Sequence, residues 1–151
     1  MARPPFSLLI VKRDGTLFEG QAEHVRAPVQ DGTVGILAHH APMMAQLAYG
    51  AITVRKPGEE EQDFFSCTGG VLHVQPDGKV CLYLDAGERA ESIDIRRAME
   101  AEQRARDLIG RAAADSAVDV DRAMAALHRA LARERVYRRV RLPGGGRPPR
   151  G

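Results

Sequence analysis

Long apolar runs are missing from this sequence, and none approaches the roughly 20 consecutive residues that a helix needs to cross a bilayer. Near the N-terminus, a short apolar stretch runs directly into Lys12, Arg13 and Asp14, which is not the pattern of a secretory signal. Tryptophan is absent and aromatic residues make up 5% of the chain, yet a hydrophobic content of 44% is typical of a folded protein. We therefore expect a folded chain with neither a membrane-spanning helix nor a signal segment.

Cysteine is almost as scarce. The two that are present, Cys67 and Cys81, lie inside apolar, strand-like runs, where buried free thiols are commoner than disulfides. Free thiols are typical of a reducing compartment, so we expect a cytoplasmic location. The 151 residues suffice for one domain of about 100 residues together with an appendage.

Lysine disappears from the second part of the chain, and the charge changes sign there. Residues 1–88 contain seven Lys and Arg against eleven Asp and Glu, a net charge of −4. Residues 89–151 contain fifteen Arg against nine Asp and Glu, a net charge of +6. Such an asymmetry predicts two parts with different partners.

Residues 6–85 consist of short segments rich in Val, Ile, Leu and Phe, separated by Asp-Gly and Pro-Gly turn signals. Asp-Gly between apolar runs is a strong hairpin signal because both residues tolerate positive φ. Eight such segments without a long helix between them predict an antiparallel β-sandwich, or flattened barrel, over residues 1–88. The segments are FSLLIV, TLFEG, AEHVRA, TVGIL, AITV, DFFSC, GGVLHV and KVCLYL.

Helix-forming residues dominate after residue 88, which predicts an antiparallel two-helix hairpin over residues 89–140. Ser92 is the expected N-cap of the first helix, with Asp94 in the positive first turn and Gly110 at its end. The second helix is expected to begin at Asp119.

The facing stripes of the two helices are rich in alanine, which packs closely but buries little apolar area. Two interpretations stay open: a marginal hairpin that opens or docks elsewhere, and a permanently folded, loosely packed appendage. The remaining residues, 141–151, form a Gly/Pro/Arg tail that we expect to be disordered. The predicted stripes are Ile93, Ala98, Ala101, Ala105 and Leu108 on the first helix, and Val120, Ala123, Leu127, Ala130 and Leu131 on the second.

Two adjacent histidines, His39 and His40, stand in a glycine-punctuated stretch over residues 31–42. On a strand, neighbouring side chains point to opposite faces, so the two imidazoles would not bind one ion together. A metal site would also need further ligands at suitable spacing, and the other histidines are isolated in the sequence. We therefore expect no metal site in this stretch.

Four stretches follow one another along the chain: DGTVGILAHHAPMMAQLAYG, CTGGVLHV, LDAGERAESID and DVDRAMAALHRALARERV. Together they resemble the epsilon-subunit family of bacterial F-type ATP synthases, over roughly residues 6–140. The first is similar to the family's Gly-x-x-Gly-Ile-Leu-Pro-Gly-His-Ala-Pro-Leu run, and the last to the second helix of its C-terminal hairpin. The resemblance implies a β-sandwich followed by two helices, in agreement with the pattern of the residues.

The resemblance further implies a non-catalytic rotor subunit, peripheral to the cytoplasmic face of the bacterial plasma membrane. Its β-domain would bind the gamma subunit and the c-ring and help to couple proton translocation to ATP synthesis. Its helices would extend towards the alpha and beta subunits and inhibit ATP hydrolysis. The matching interface positions are Asp31, Gly32, Thr33, His40 and Pro42.

Some positions depart from the family pattern. Ala38 and His39 replace Pro-Gly, and Thr33 stands where an acidic residue is frequent. Lys12 and Arg13 replace a common Thr-Pro pair. These changes concern the c-ring contact and the first hairpin rather than the fold.

The resemblance also implies a regulatory ATP site, with no cofactor required, because IDIRRA matches the family's Ile/Leu-Asp-x-x-Arg-Ala motif. Forked guanidinium groups that converge across a hairpin would suit a triphosphate. The alternative is that Asp94 merely begins a helix and the arginines face solvent. The implied positions are Glu88, Ile93, Asp94, Arg97, Ala98, Arg104, Arg129 and Arg133.

A rival hypothesis is a nucleic-acid-binding module built on the basic C-terminus. Only Tyr137 is available there for base stacking, and no nucleic-acid fold signature occurs, so we expect no nucleic-acid partner. No catalytic constellation is recognisable, and Gly144-Gly145-Gly146 lacks the Lys of a phosphate-binding loop. The basic cluster consists of Arg133, Arg135, Arg138, Arg139, Arg141, Arg147 and Arg150.

Overall fold

The computed structural model describes residues 3–141, so almost all of the predicted tail lies outside the described residues. Eight strands precede a single turn of 3₁₀ helix and two α-helices. Within the described part of the chain, no helix is long and apolar enough to cross a membrane. The elements are β1 (Phe6–Lys12), β2 (Gly15–Ala22), β3 (His24–Val29), β4 (Gly32–Ile36), β5 (Met43–Arg55), β6 (Gln62–Val74), β7 (Val80–Leu84), β8 (Gly87–Arg89), the 3₁₀ turn (Ala90–Ser92), α1 (Ile95–Arg111) and α2 (Val120–Arg141).

The strands form one continuous sheet in the order β2-β1-β7-β6-β5-β3-β4, with β8 paired to β6, and the sheet folds over an apolar core. The predicted β-sandwich followed by two helices is therefore confirmed. Side chains alternate as expected for a half-buried strand: in β1, Phe6, Leu8 and Ile10 are buried while Ser7 is exposed. The core draws on every strand from β1 to β7 and contains no residue of α1 or α2.

One strand pair departs from the antiparallel expectation. β1 and β7 run parallel, with Leu8 opposite Val80 and Lys12 opposite Leu84. A two-residue hairpin can join only antiparallel strands, whereas a parallel pair needs a long connection. Here five intervening strands supply that connection, so turn signals between neighbouring segments carried no information about this pair.

Two of the predicted segments are one strand. DFFSC and GGVLHV join into β6, while AITV extends backwards to Met43 to form β5. Gly70 permits the continuity of β6, because its φ is 130° and a Cβ atom there would lie 1.9 Å from the carbonyl oxygen of Tyr83. Glycine thus marks a close backbone approach within a strand rather than its end.

Both helices begin with an aspartate cap. Asp94 accepts a hydrogen bond from the backbone N–H of Arg97 at 3.1 Å, and Asp119 accepts one from Arg122 at 3.0 Å. The prediction of Ser92 as the first cap is wrong, since Ser92 lies in the 3₁₀ turn. An Asp cap and the helix dipole act together, because a negative charge favours the N-terminus. The first helix also runs one residue beyond Gly110.

The seam between the helices is narrow and alanine-rich, as predicted. Ala98 and Ala105 of α1 are buried, and so are Ala123, Leu127 and Ala130 of α2. The ends of the predicted stripes are not part of it: Leu108 and Val120 are exposed, and Ile93 packs elsewhere. α1 packs mainly on α2, whereas α2 also packs on β5 and β6.

A small second core holds α2 on the sandwich. It consists of buried Phe64, Val136 and Val140, with partly buried Ala51, Ala90 and Ile93 packed against them. Phe64 and Phe65 are neighbours on β6 and therefore face opposite sides of the sheet, one towards α2 and one into the sandwich. Burial of each large side chain contributes about 2 kcal/mol, so this contact is weak compared with the main core.

A pair of carboxyl groups lies between the helices. Glu134 of α2 is buried at 9% exposure and faces Glu102 of α1. Hydrogen bonding to Glu102, and then burial, raise the pKa of Glu134, while the same hydrogen bond lowers the pKa of Glu102. The Nε atom of Arg106 lies 2.7 Å from Oε1 of Glu102, and the Nη2 atom of Arg138 lies 3.6 Å from Oε2 of Glu134. The raised pKa means that Glu134 keeps its proton to a higher pH than Glu102 does.

We predict that Glu134→Gln makes the protein more stable above the raised pKa of Glu134. The folded state holds a proton that the unfolded state loses above about pH 4.3, so wild-type stability falls as pH rises from there through the raised pKa. The lowered pKa of Glu102 changes the stability of the fold only below that pH window. Glutamine keeps the hydrogen bond without the charge, and the gain is about 1 kcal/mol.

Urea unfolding followed by circular dichroism, between about pH 4.5 and 8, measures this difference. Glu100→Gln is the matched control, because Glu100 is an exposed carboxylate of the same helix as Glu102. Parallel pH profiles for wild type and Glu134→Gln would contradict the raised pKa of Glu134.

Candidate functional site

A cleft of about 540 Å³ opens between the β1–β2 turn, the segment that leads into β8, and one face of α2. We call it the Glu88 cleft. Its lining residues come from the turn, the edge of the sheet and the helix. These three parts meet only when α2 is docked on the sandwich. It is lined by Lys12, Arg13, Asp14, Ser66, Thr68, Asp85, Ala86, Gly87, Glu88, Arg129 and Arg133.

Ion pairs already neutralise part of this cleft. Glu88 accepts a hydrogen bond from the guanidinium group of Arg133, and the Nζ atom of Lys12 lies 3.5 Å from the carboxylate of Asp14. The β8 backbone fixes Glu88, whose N–H donates to the Ser66 hydroxyl at 3.1 Å. Arg13 and Arg129 complete the positive side. An anion entering the cleft would therefore compete with Glu88 for Arg133.

The residues of the predicted ATP site fall into separate groups. Glu88, Arg129 and Arg133 lie together in the Glu88 cleft, whereas Arg97 and Arg104 are not among its lining residues in the described structure. Arg97 is 84% exposed and lies 3.9 Å from Asp94.

The rest of the predicted set lies outside the cleft as well. Arg104 is exposed on α1, Ile93 packs in the second core and Ala98 is buried in the seam. The expected convergence of arginines from both helices is not present in this arrangement of the hairpin.

A stacked cluster on the other side of α2 was not predicted. The ring of Tyr49 on β5 stacks on His128, with centroids 4.7 Å apart and planes at 11°. The guanidinium carbon of Arg135 lies 4.7 Å from the same ring. His128 and Arg135 are seven residues apart, two helical turns, so both reach one residue of the sheet. That spacing was the available signal, but nothing in the sequence indicated Tyr49 as their partner.

Comparison with known proteins shows which family has this architecture. The sequence profile described as "ATP synthase, Delta/Epsilon chain, beta-sandwich domain" matches residues 5–90, and the "long alpha-helix domain" of the same chain matches residues 91–137. The chain belongs to the ATP synthase delta/epsilon family. The two profiles meet at the 3₁₀ turn that separates the β-sandwich from the helices.

Curated relatives agree over most of their length. The ATP synthase epsilon chain of Halorhodospira halophila is 39% identical over 132 residues, 87% of this chain and 92% of that one. The epsilon chain of Bacillus velezensis is 39% identical over 124 residues, covering 82% and 90% respectively. The epsilon chain of Chromohalobacter salexigens is 37% identical over 142 residues, covering 94% and 98%.

Solved structures share the fold. A chain in the cryo-EM structure of the Euglena gracilis mitochondrial ATP synthase, with OSCP, F1 and c-ring, has a TM-score of 0.72 at 24% identity. That match covers 86% of this chain and 79% of the other. A chain in the Tetrahymena thermophila central-stalk and c-ring structure has a TM-score of 0.51 at 12% identity, covering 61% of this chain and 72% of that one. These identities show the fold alone.

The histidine pair of this delta/epsilon chain lies in a turn after β4, not on a strand as the sequence argument assumed. His39 adopts a φ of 64°, a conformation that favours glycine, which explains why the family pattern has glycine at this position. The Nδ1 atom of His40 lies 2.8 Å from the carbonyl oxygen of Ala41. Residues 3–141 contain no group of three potential ligands close enough to hold a metal ion.

The other predicted interface residues lie on two neighbouring turns. Asp31, Gly32 and Thr33 are exposed at the β3–β4 turn, and Pro42 is exposed just before β5. β3 pairs with both β4 and β5, so the two turns belong to the same part of the sheet. Their exposure leaves them accessible to a partner.

Exposed apolar side chains form a stripe on the outer face of the sandwich. Val71 lies opposite Tyr83 in the β6–β7 pair, and Met44 lies on β5 two residues from the position opposite Val71. Met44 is 69% exposed and Tyr83 is 45% exposed. Contiguous exposed apolar surface in a soluble domain marks an interaction site.

Both cysteines of the chain are free and buried, as predicted. Burial raises the pKa of the Cys67 thiol to about 11, which keeps it protonated and unreactive at neutral pH. The thiols therefore contribute packing rather than chemistry.

We predict that Tyr49→Ala loosens α2 from the sandwich. The substitution removes the stack with His128 and the cation–π contact with Arg135, which together stabilise docking by about 1–2 kcal/mol. Hydrogen exchange of α2 amides should become about 10-fold faster while exchange in the main core is unchanged. Tyr83→Ala, on an exposed tyrosine of the same sandwich, is the control, and equal exchange in both variants would show that the stack does not hold α2.

Proposed function

We propose that this chain is a non-catalytic central-stalk subunit of a bacterial F-type ATP synthase, peripheral to the cytoplasmic face of the plasma membrane. In this role it helps to couple proton translocation to ATP synthesis and takes no part in bond breaking. Membership of the delta/epsilon family supports the proposal most directly, because both halves of the chain match. The β-sandwich has its own core and so can act as a rigid mount.

The β-sandwich carries the permanent contacts. The stripe of Met44, Val71 and Tyr83 is the surface we assign to the gamma subunit, because obligate contacts are the more apolar ones. The turns at residues 31–33 and 40–42 are assigned to the c-ring, which they would contact through exposed polar groups. Thr33 and His39 make this contact less acidic and less flexible than the family pattern implies.

The helical hairpin carries regulation. Its seam is alanine-rich, and its attachment depends on a small second core, the cluster around Tyr49 and the ion pair of Arg133 with Glu88. A helix held by so few contacts can leave the sandwich and extend towards the alpha and beta subunits, where it would block rotation in the hydrolysis direction. Arginines of α2 would then meet acidic segments, and charge pairing of this kind gives register and specificity.

ATP is the proposed ligand of the compact state. In the Glu88 cleft, Arg133 and Arg129 of α2 face Glu88, so a bound triphosphate would bridge the helix and the sandwich. Phosphate oxygens would take the place of Glu88 at the Arg133 guanidinium, which binds them in the same forked geometry. Arg97 and Arg104 would join only after a shift of α1. ATP would in this way favour the compact hairpin and relieve inhibition.

The first test is deletion of residues 91–151, which keeps β8 in place. The truncated subunit should still assemble with gamma, because the main core contains only sandwich residues. ATP hydrolysis by the assembled complex should rise above that of the complex with the full chain. Failure of the truncated subunit to join gamma would contradict the assignment of stalk binding to the sandwich.

The second test is calorimetric titration of the isolated subunit with ATP. We expect saturable binding that is lost in Arg133→Ala and weakened in Arg97→Ala, since each removes a guanidinium ligand of the phosphates. Arg122→Ala is the control, an exposed arginine of α2 outside the predicted set. No binding at millimolar ATP would mean that IDIRRA only begins a helix, and regulation would have to come from the state of the rotor.

A further inference from the structure

A second cleft, of about 510 Å³, lies between the C-terminal part of α2, β5 and the β3–β4 turn. We call it the arginine cleft. At 100° per residue, the α2 side chains that line it lie on a different face from those of the Glu88 cleft. It shares no lining residue with that cleft and none with the predicted ATP site. The lining consists of Pro28, Val29, Gln30, Gly32, Thr33, Ala48, Tyr49, Gly50, Ala51, Arg135, Arg138 and Arg139.

The charge of this cleft is of one sign. Three arginines line it, and within residues 3–141 its lining includes no Asp or Glu. The Glu88 cleft, in contrast, sets three carboxylates against its four cations. Arg138 has an ion pair with Glu134 at 3.6 Å, but its side chain is 75% exposed, so that pair neutralises little. Arg135 lies against the Tyr49 ring, which carries no net charge.

The partial negative charge of the helix C-terminus attracts these arginines, and their own positive charges repel one another. The C-terminus of a helix carries about half a negative charge, which accounts for basic residues in the last turn of α2. That half charge does not balance three positive ones, so the cleft keeps a net positive charge. The three side chains are exposed, so solvent screens their repulsion, and an anion that entered the cleft would stabilise the docked state by pairing with them. Guanidinium forks pair with phosphate oxygens in bidentate geometry, while Gln30 and Thr33 add neutral donors at the rim.

We propose that the arginine cleft binds a multiply charged phosphate anion, either inorganic polyphosphate or the phosphate chain of a nucleotide, and that this anion holds α2 on the sandwich. The cleft has one wall on α2 and the other on β5 and the β3–β4 turn, so it exists only while α2 is docked. A ligand that binds one state alone shifts the equilibrium towards it by a factor of about 100 at 100 times its Kd. The effect on the hairpin rests on its proposed mobility; the binding does not.

The proposal also predicts which part of the ligand the arginine cleft recognises. His128 stacks on the Tyr49 ring and the guanidinium group of Arg135 lies over the same ring, so both already occupy the aromatic surface on which a base would stack. Tyr49 is the one aromatic residue among the described lining residues. Affinity should therefore follow the number of phosphate charges rather than the presence of adenine.

The experiment is a calorimetric titration of the full-length subunit with tripolyphosphate, ATP and AMP in parallel. We expect tripolyphosphate to bind, AMP to bind at least about 10-fold more weakly, and the double variant Arg138→Gln/Arg139→Gln to lose about 10-fold or more in affinity for tripolyphosphate. Arg122→Gln, at an exposed arginine of α2 that lines neither cleft, is the matched control and should retain tripolyphosphate binding. Hydrogen exchange of α2 in saturating tripolyphosphate should slow in the wild type and not in the double variant.

Three results would overturn the proposal. Equal loss in Arg122→Gln and in the double variant would indicate that binding follows the general charge of α2. Binding of ATP without binding of tripolyphosphate would indicate base recognition elsewhere. Tighter binding of a short DNA duplex, lost in the same double variant, would indicate a nucleic-acid surface. A failure of the proposed ATP switch is distinguishable, because Arg133→Ala would then leave ATP binding unchanged while the double variant would still lose tripolyphosphate binding.

Discussion

The contact between α2 and the outer face of β5 and β6 is the constraint on which the rest of the molecule depends. Buried Phe64, Val136 and Val140 form its small apolar core, and α1 is held mainly through α2. Both clefts have α2 as one wall, so neither exists without this contact. A limited apolar contact flanked by charged clefts is well suited to control by ions, because small electrostatic terms are then comparable with the total free energy of docking.

Sequence patterns predicted the fold well where the information was local. Period-two alternation, Asp-Gly turns and a later change to helix formers were sufficient for the sandwich and the hairpin. Pairing between distant segments was not predicted, because β1 and β7 are separated by five strands and no local signal specifies their parallel register. The bounds of β6 were also missed, since glycine at 69 and 70 reads as a break although the strand continues through it.

The candidate site was predictable as a set of residue types but not as an arrangement. Helical spacing placed Arg129 and Arg133 on one face of α2, and both do line one cleft. The surface that this face meets depends on tertiary packing, which the sequence does not specify. In the structure the face meets the sandwich rather than α1. Lys12 was noted only as a departure from a family pattern, yet the β1–β2 turn brings it beside Glu88. Tyr49 lies about 80 positions before its partners, beyond the reach of any periodicity.

The parallel pairing of β1 with β7 has a consequence for the order in which the chain folds. β1 leaves the ribosome well before its neighbour in the sheet, which is not complete until residue 84 has been synthesised. Until then β1 has only β2 as a partner, and a lone hairpin is marginal in water. The surface that receives α2 is finished at about the same moment, just before the helices emerge. The two helices are thus synthesised after the sandwich on which α2 docks, when the sheet has only just been completed.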